Sequence, residues 1–95
     1  MPEMLFHVRW PDQTETACYS PSLVVREHLT PGQPYAVAEF VNRSREALTI
    51  ASERVRAKYG FACSSALDQL ARIEACAERF GDQPDARGVV LRFED

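Results

Sequence analysis

Cys63 stands just ahead of a predicted helix N-terminus in the run GFACSSALDQ, where the helix macrodipole lowers a thiol pKa and can turn cysteine into a nucleophile. Catalysis by that thiol also needs a base. Neither His7 nor His28 is near it in sequence, so the fold would have to bring one in. The plainer reading is a small residue buried at a helix junction, the commoner fate of free cysteine, and it is favoured. A metal site would have to draw on Cys18, Cys63, Cys76, His7 and His28, but no CxxC, HxxxH or similar paired spacing is present, so no metal is expected. The four glycines each stand beside a turn or helix end and form no phosphate-binding loop. No cofactor is expected.

The stretch AxxxASERVRAKYGF offers binding chemistry instead. Glu53, Arg54, Arg56 and Lys58 crowd toward Gly60 beside Tyr59 and Phe61. A dense cluster of both signs with aromatics at a rigid corner suits protein docking or an anionic ligand. The plainer alternative is a solvated face of surface ion pairs, and that carries the greater weight. Arg43, Arg45, Arg54, Arg56 and Lys58 also make the same helix locally basic. Acids are interleaved among them and no helix-turn-helix spacing is evident, which argues against a DNA-reading helix.

These residues must be positioned by two long helices spanning residues 35–80 and folded back at Gly60. Val37, Phe40, Val41, Ser44, Leu48, Ala51, Val55 and Tyr59 recur at three- and four-residue steps, which places them on one buried helical face. Ile50 falls on the opposite side by the same count. Gly60 is a left-handed cap candidate, with Phe61 placed to fold back in the Schellman manner. Ser64 and Ser65 are candidate N-caps of the second helix, whose stripe is Ala66, Leu70, Ile73, Ala77 and Phe80, closed by Gly81. A linker as short as 60–63 forces an antiparallel pair.

Before and after the pair lie strand patterns. Met4, Phe6, Val8 and Trp10 alternate with Leu5, His7 and Arg9, a two-residue period. Pro11-Asp12-Gln13 has turn chemistry, so residues 14–19 return as a hairpin. Residues 21–29 open with Ser-Pro-Ser and read as a short extra helix, a strand being the alternative; residues 30–34 are a loop. Val89, Leu91 and Phe93 alternate with Val90, Arg92 and Glu94 as the last strand. The expected fold is an α+β two-layer sandwich over residues 1–95 as a single domain, with a three-stranded sheet covered on one face by the helix pair. The open face is expected to carry some of Leu5, His7, Arg9, Ala17, Tyr19, Val90 and Arg92.

The chain has 95 residues, 45% of them hydrophobic and 26% charged, an ordinary globular composition that argues against disorder. At this length stability is modest, and a homodimer would add to it. A net charge of −3 gives no general attraction to nucleic acid or to an acidic membrane. No apolar run approaches a membrane span, and the start MPEMLFHVRW is no signal peptide. A cytoplasmic protein with reduced thiols is expected.

The segments CYSPSLVVREHL at 18–29 and LTIASERVRAKYGFACSSALDQLARIE at 48–74 resemble a family of small bacterial nitrogen starvation response proteins, first named from mycobacteria. The likeness extends to the opening MPEM and the closing LRFED. It implies a bacterial cytosolic protein encoded near a nitrilase and other enzymes induced when nitrogen is short, and it implies no catalytic residues. The expected role is a non-catalytic accessory or interaction protein, its partner an enzyme of that nitrilase-containing cluster. The alternatives are a small enzyme or ligand binder using Cys63 with a histidine, and a nucleic-acid-binding regulator.

Overall fold

Alternation drives the first element: β1, Met4–Arg9, buries Met4, Phe6 and Val8 on one face. It turns through residues 11–13, with Gln13 at φ 73°, into β2, Glu15–Ser20, an antiparallel partner in the register Arg9 to Glu15 through Met4 to Ser20. The structure, a computed structural model, describes residues 3–61 and 64–94. After β2 the chain forms a 3-10 helix, Leu23–Glu27. Ser22 Oγ accepts from the Val24 N–H at 3.3 Å, the cap expected of a serine ahead of a helix. Then come β3, Pro34–Ala36, α1, Val37–Tyr59, α2, Ser64–Glu78, and β4, Arg87–Glu94.

The fold is α+β, with two helices packed on an antiparallel sheet. That sheet has four strands, in the order β2-β1-β4-β3, and not the three expected from the sequence. The additional strand, β3, pairs Pro34 with Val89, Tyr35 with Gly88 and Ala36 with Arg87. Three residues are too few to show alternation, and the strand runs straight into α1, so Tyr35 reads as helix although it is extended. The Tyr35 hydroxyl accepts from the Thr30 N–H at 2.9 Å, and the Arg43 guanidinium sits 4.9 Å above its ring.

A second difference concerns β4. Val90, expected on the open face, is fully buried against Val8, while Phe93 pairs with Phe6. The register shifts between His7 and Val8. A bulge places two residues opposite one, which reverses the side-chain phase beyond it. One strand therefore delivers Val90 and Phe93 to the same core, an arrangement a strict two-residue count forbids.

The core is one contiguous cluster built from the inner sheet face, α1, α2 and the 3-10 helix. Trp10 is at its centre. Its ring meets Phe40 edge-on at 5.4 Å and stacks parallel to Phe80 at 6.2 Å, and its Nε1–H donates to Thr16 Oγ1 at 3.0 Å. From α1 the buried residues are Val37, Phe40, Ser44, Ala47, Leu48, Ala51 and Ser52. The stripe ends there: Val55 is half-buried and Tyr59 is exposed. A 23-residue helix is about 35 Å long, whereas strands of six to eight residues span roughly 20–26 Å, so α1 outruns the sheet. The 40 × 22 × 18 Å envelope reflects that overhang.

Gly60 ends α1 at φ 87°, its N–H donating to Arg56 O at 2.8 Å. This single bond is the simpler left-handed cap and not the expected Schellman pair. Phe61, expected to fold back in the Schellman manner, is instead 69% exposed. Nothing lies within 4 Å of a Cβ built on Gly60, so backbone strain alone opposes a side chain there. Gly60→Ala should cost about 1 kcal/mol and lower Tm by about 4–8 °C. Gly81→Ala, at a glycine without positive φ and with Glu78 O at an ordinary 3.4 Å, should leave Tm nearly unchanged. Thermal melts followed by circular dichroism separate the two.

Candidate docking surface at the helical corner

Along the overhang, helical spacing sends successive side chains all round the axis with no sheet to cover them. Glu53, Arg54, Arg56, Lys58, Tyr59 and Phe61 are all exposed, Tyr59 by 53% and Phe61 by 69%. Leu67 in the first turn of α2 is 49% exposed. Three large apolar side chains therefore lie at one end of the molecule, at the helix ends that the corner joins. Ile50, about two and a half turns before Tyr59, keeps 37% exposure.

The charged residues of the corner divide into two groups. Arg56 lies 3.8 Å from Glu53, a loose i,i+3 contact between well-exposed side chains that contributes little to stability. The Lys58 ammonium sits 5.6 Å from the Tyr59 ring centroid, where the ring face attracts it. Arg54 is engaged elsewhere: its guanidinium donates to Ser22 Oγ at 3.2 Å, while Arg43, about three turns earlier, donates to His28 O at 3.0 Å. Two arginines on one side of α1 thus fasten the 3-10 segment. The sequence offered no signal for this tie, because the partners are 32 residues apart.

Positive charge at the corner agrees with the macrodipole, since Arg56 and Lys58 occupy the last turn of α1, where the carbonyl end favours cations. With Arg54 turned to Ser22, two cations, Arg56 and Lys58, stand near one carboxylate, Glu53. Such a surface can dock onto an apolar depression rimmed by acids.

The thiol chemistry weighed from sequence rests on Cys63, which lies outside the described residues. The histidines are engaged separately, on different elements. His7 Nε2 is 2.8 Å from Glu94 Oε1 on the open sheet face, and His28 Nδ1 is 3.3 Å from Val24 O. Cys18 and Cys76 are free thiols, and among the described residues no group of three His, Cys, Asp or Glu side chains could hold a metal ion. Burial pushes the Cys18 thiol up to about 11, opposed in part by the Thr16 hydroxyl. At neutral pH Cys18 should resist alkylation in the native protein and react only after unfolding, as mass spectrometry of iodoacetamide-treated samples would read. The folded pKa lies above the unfolded one, so the stability tied to the buried thiol is whole below about pH 9. It is lost as pH rises toward about 11, a decline on the order of 2–3 kcal/mol.

The model of a family described as nitrogen starvation-induced protein NitG matches residues 5–93. The chain belongs to that family. No curated protein and no solved structure matches it. Its NitG-family span takes in both helices and all of the sheet but the end residues Met4 of β1 and Glu94 of β4, so the corner and Trp10 fall inside the matched region. No helix among the described residues is long and apolar enough to cross a membrane.

Proposed function

We propose that this member of the NitG family is a non-catalytic interaction protein of a nitrogen-starvation response, and that the α1–α2 corner is its docking surface. One observation carries the reading: Tyr59 and Phe61 stand 53% and 69% exposed at the end of a helix that outruns its own core. Aromatics held on a rigid element lose little entropy on binding and are the residue types that dominate interface energetics. Lys58 and Arg56 beside them supply a polar rim. The partner this surface fits is a folded protein with an apolar pocket edged by carboxylates, and the resemblance makes an enzyme of a nitrilase-containing cluster the first candidate.

The test is a comparison of co-purifying proteins from nitrogen-starved cells, using the unaltered chain and an Arg56→Glu/Lys58→Glu variant. Arg54 is left intact because it also holds the 3-10 segment. A protein retained by the first and lost by the second supports the docking role. Identical retention removes the charged corner from the function.

A further inference from the structure

The two edges of the sheet are not alike. β3 is three residues long and begins with Pro34, which is how proteins ordinarily blunt an edge against unwanted pairing. β2 is six residues long and contains neither proline nor lysine. The Trp10 N–H donates to Thr14 O at 2.8 Å, and antiparallel pairs alternate between hydrogen-bonded and not. Thr16, Cys18 and Ser20 therefore direct their peptide groups at β1, while Glu15, Ala17 and Tyr19 direct theirs away from the sheet. Consistent with that phase, the Tyr19 N–H donates to Gln69 Oε1 at 3.0 Å. Among the described residues, nothing pairs with the outward peptide groups of Glu15 and Ala17.

Beside this edge, between β2 and α2, runs a groove of about 300 Å³. Its floor is apolar, formed by Trp10, Cys18 and Ile73, each 1% exposed. Arg72 lines one wall. Among the described residues it makes no ion pair or hydrogen bond, although Asp68 lies one turn away. Free backbone groups and a slot for one apolar side chain are what strand addition uses, and the uncommitted guanidinium adds a partner for a carboxylate.

We propose that the β2 edge and this groove take up an extended acidic peptide segment of another protein as a fifth strand. The segment pairs with Glu15 and Ala17, seats an apolar side chain over Trp10 and Ile73, and sets a carboxylate two residues along against Arg72. A second copy of this chain is the other conceivable strand. A two-fold axis through Ala17 would bring the Arg72 side chains of both copies together near the axis, and like charges so placed oppose pairing. An acidic segment meets Arg72 with the opposite charge, and a carboxylate set against Arg72 on the groove side avoids the Glu15 carboxylate, whose side chain alternates to the other face of β2.

Fluorescence anisotropy with a labelled, capped peptide alternating Thr with Val and Glu, and with its Lys-for-Glu counterpart, tests the site on the full chain. The Glu peptide should bind at least about tenfold more tightly than the Lys peptide, and Arg72→Glu should reverse that order. Because the Ala17 N–H faces outward, Ala17→Pro removes an edge donor without touching the β1 ladder, and it should abolish binding while the circular dichroism spectrum is retained. Amide exchange at Glu15 and Ala17 should slow when the Glu peptide is present. The site is overturned by equal affinity for the two peptides, by no binding of either at millimolar peptide, or by an Arg72→Glu variant that binds the Glu peptide unchanged. A concentration-dependent dimer whose Ala17 amide is already protected would overturn it as well, assigning the edge to a second copy. Tyr59→Ala and Phe61→Ala should leave the peptide result untouched, so this site and the corner fail independently.

Discussion

Trp10→Ala should leave the protein close to its unfolding threshold, with Tm lower by at least about 15 °C. The indole is 1% exposed, held edge-on by Phe40 and face-on by Phe80, so it joins the end of β1 to α1 and to the turn that follows α2. Truncating a buried Trp or Phe costs about 3–5 kcal/mol, from lost transfer free energy and from the cavity left behind. A chain of this size has roughly 5–14 kcal/mol in all, so the loss is a large fraction of the whole. The change also removes the N–H that the Thr16 hydroxyl receives, a small added cost because Thr16 is exposed and can turn to water. Trp10→Phe isolates the hydrogen-bond part: most of the ring contact stays, the indole N–H goes, and a cost of about 1–2 kcal/mol is expected. Urea titrations followed by circular dichroism measure both. An alanine variant melting within about 5 °C of the parent would mean that the helices hold the sheet without this residue.

Elements whose signal is local and long were legible from sequence. The α1–α2 pair follows from sustained three- and four-residue periodicity interrupted at Gly60, and β1 follows from four alternating apolar residues. What could not be read depends on a partner strand or on where the sheet ends. β3 is too short to carry a period, and its strand character comes entirely from pairing with β4. The inward turn of Val90 comes from a bulge, a property of two strands together. Tyr59 continues the α1 stripe by angle and is exposed nonetheless, because periodicity records direction around the axis and not how far the opposing layer extends. Arg54 stood among the corner charges by sequence distance, yet its contact is with Ser22. The residues of the corner were found because composition is local. The β2 edge was invisible, since strand order decides which strand is outermost.

Tyr59→Ala together with Phe61→Ala should separate binding from folding. Both side chains lie beyond the last buried residue of α1, Ser52, so their removal should change stability by no more than about 0.5 kcal/mol. If the corner is the docking surface, the same change removes the aromatic anchors, and such residues are worth at least about 2 kcal/mol when seated in a partner's pocket. Affinity for a protein first captured with the unaltered chain and then purified should fall by about 30-fold or more. Charge should act differently from the aromatics. Lys58 and Arg56 are rim groups, so raising salt or reversing them should mainly slow association, while the double alanine variant should mainly speed dissociation. Surface plasmon resonance at two ionic strengths reads both rates. A double alanine variant that dissociates no faster than the parent would show that the exposed aromatics are bystanders and would place the contact elsewhere on the molecule.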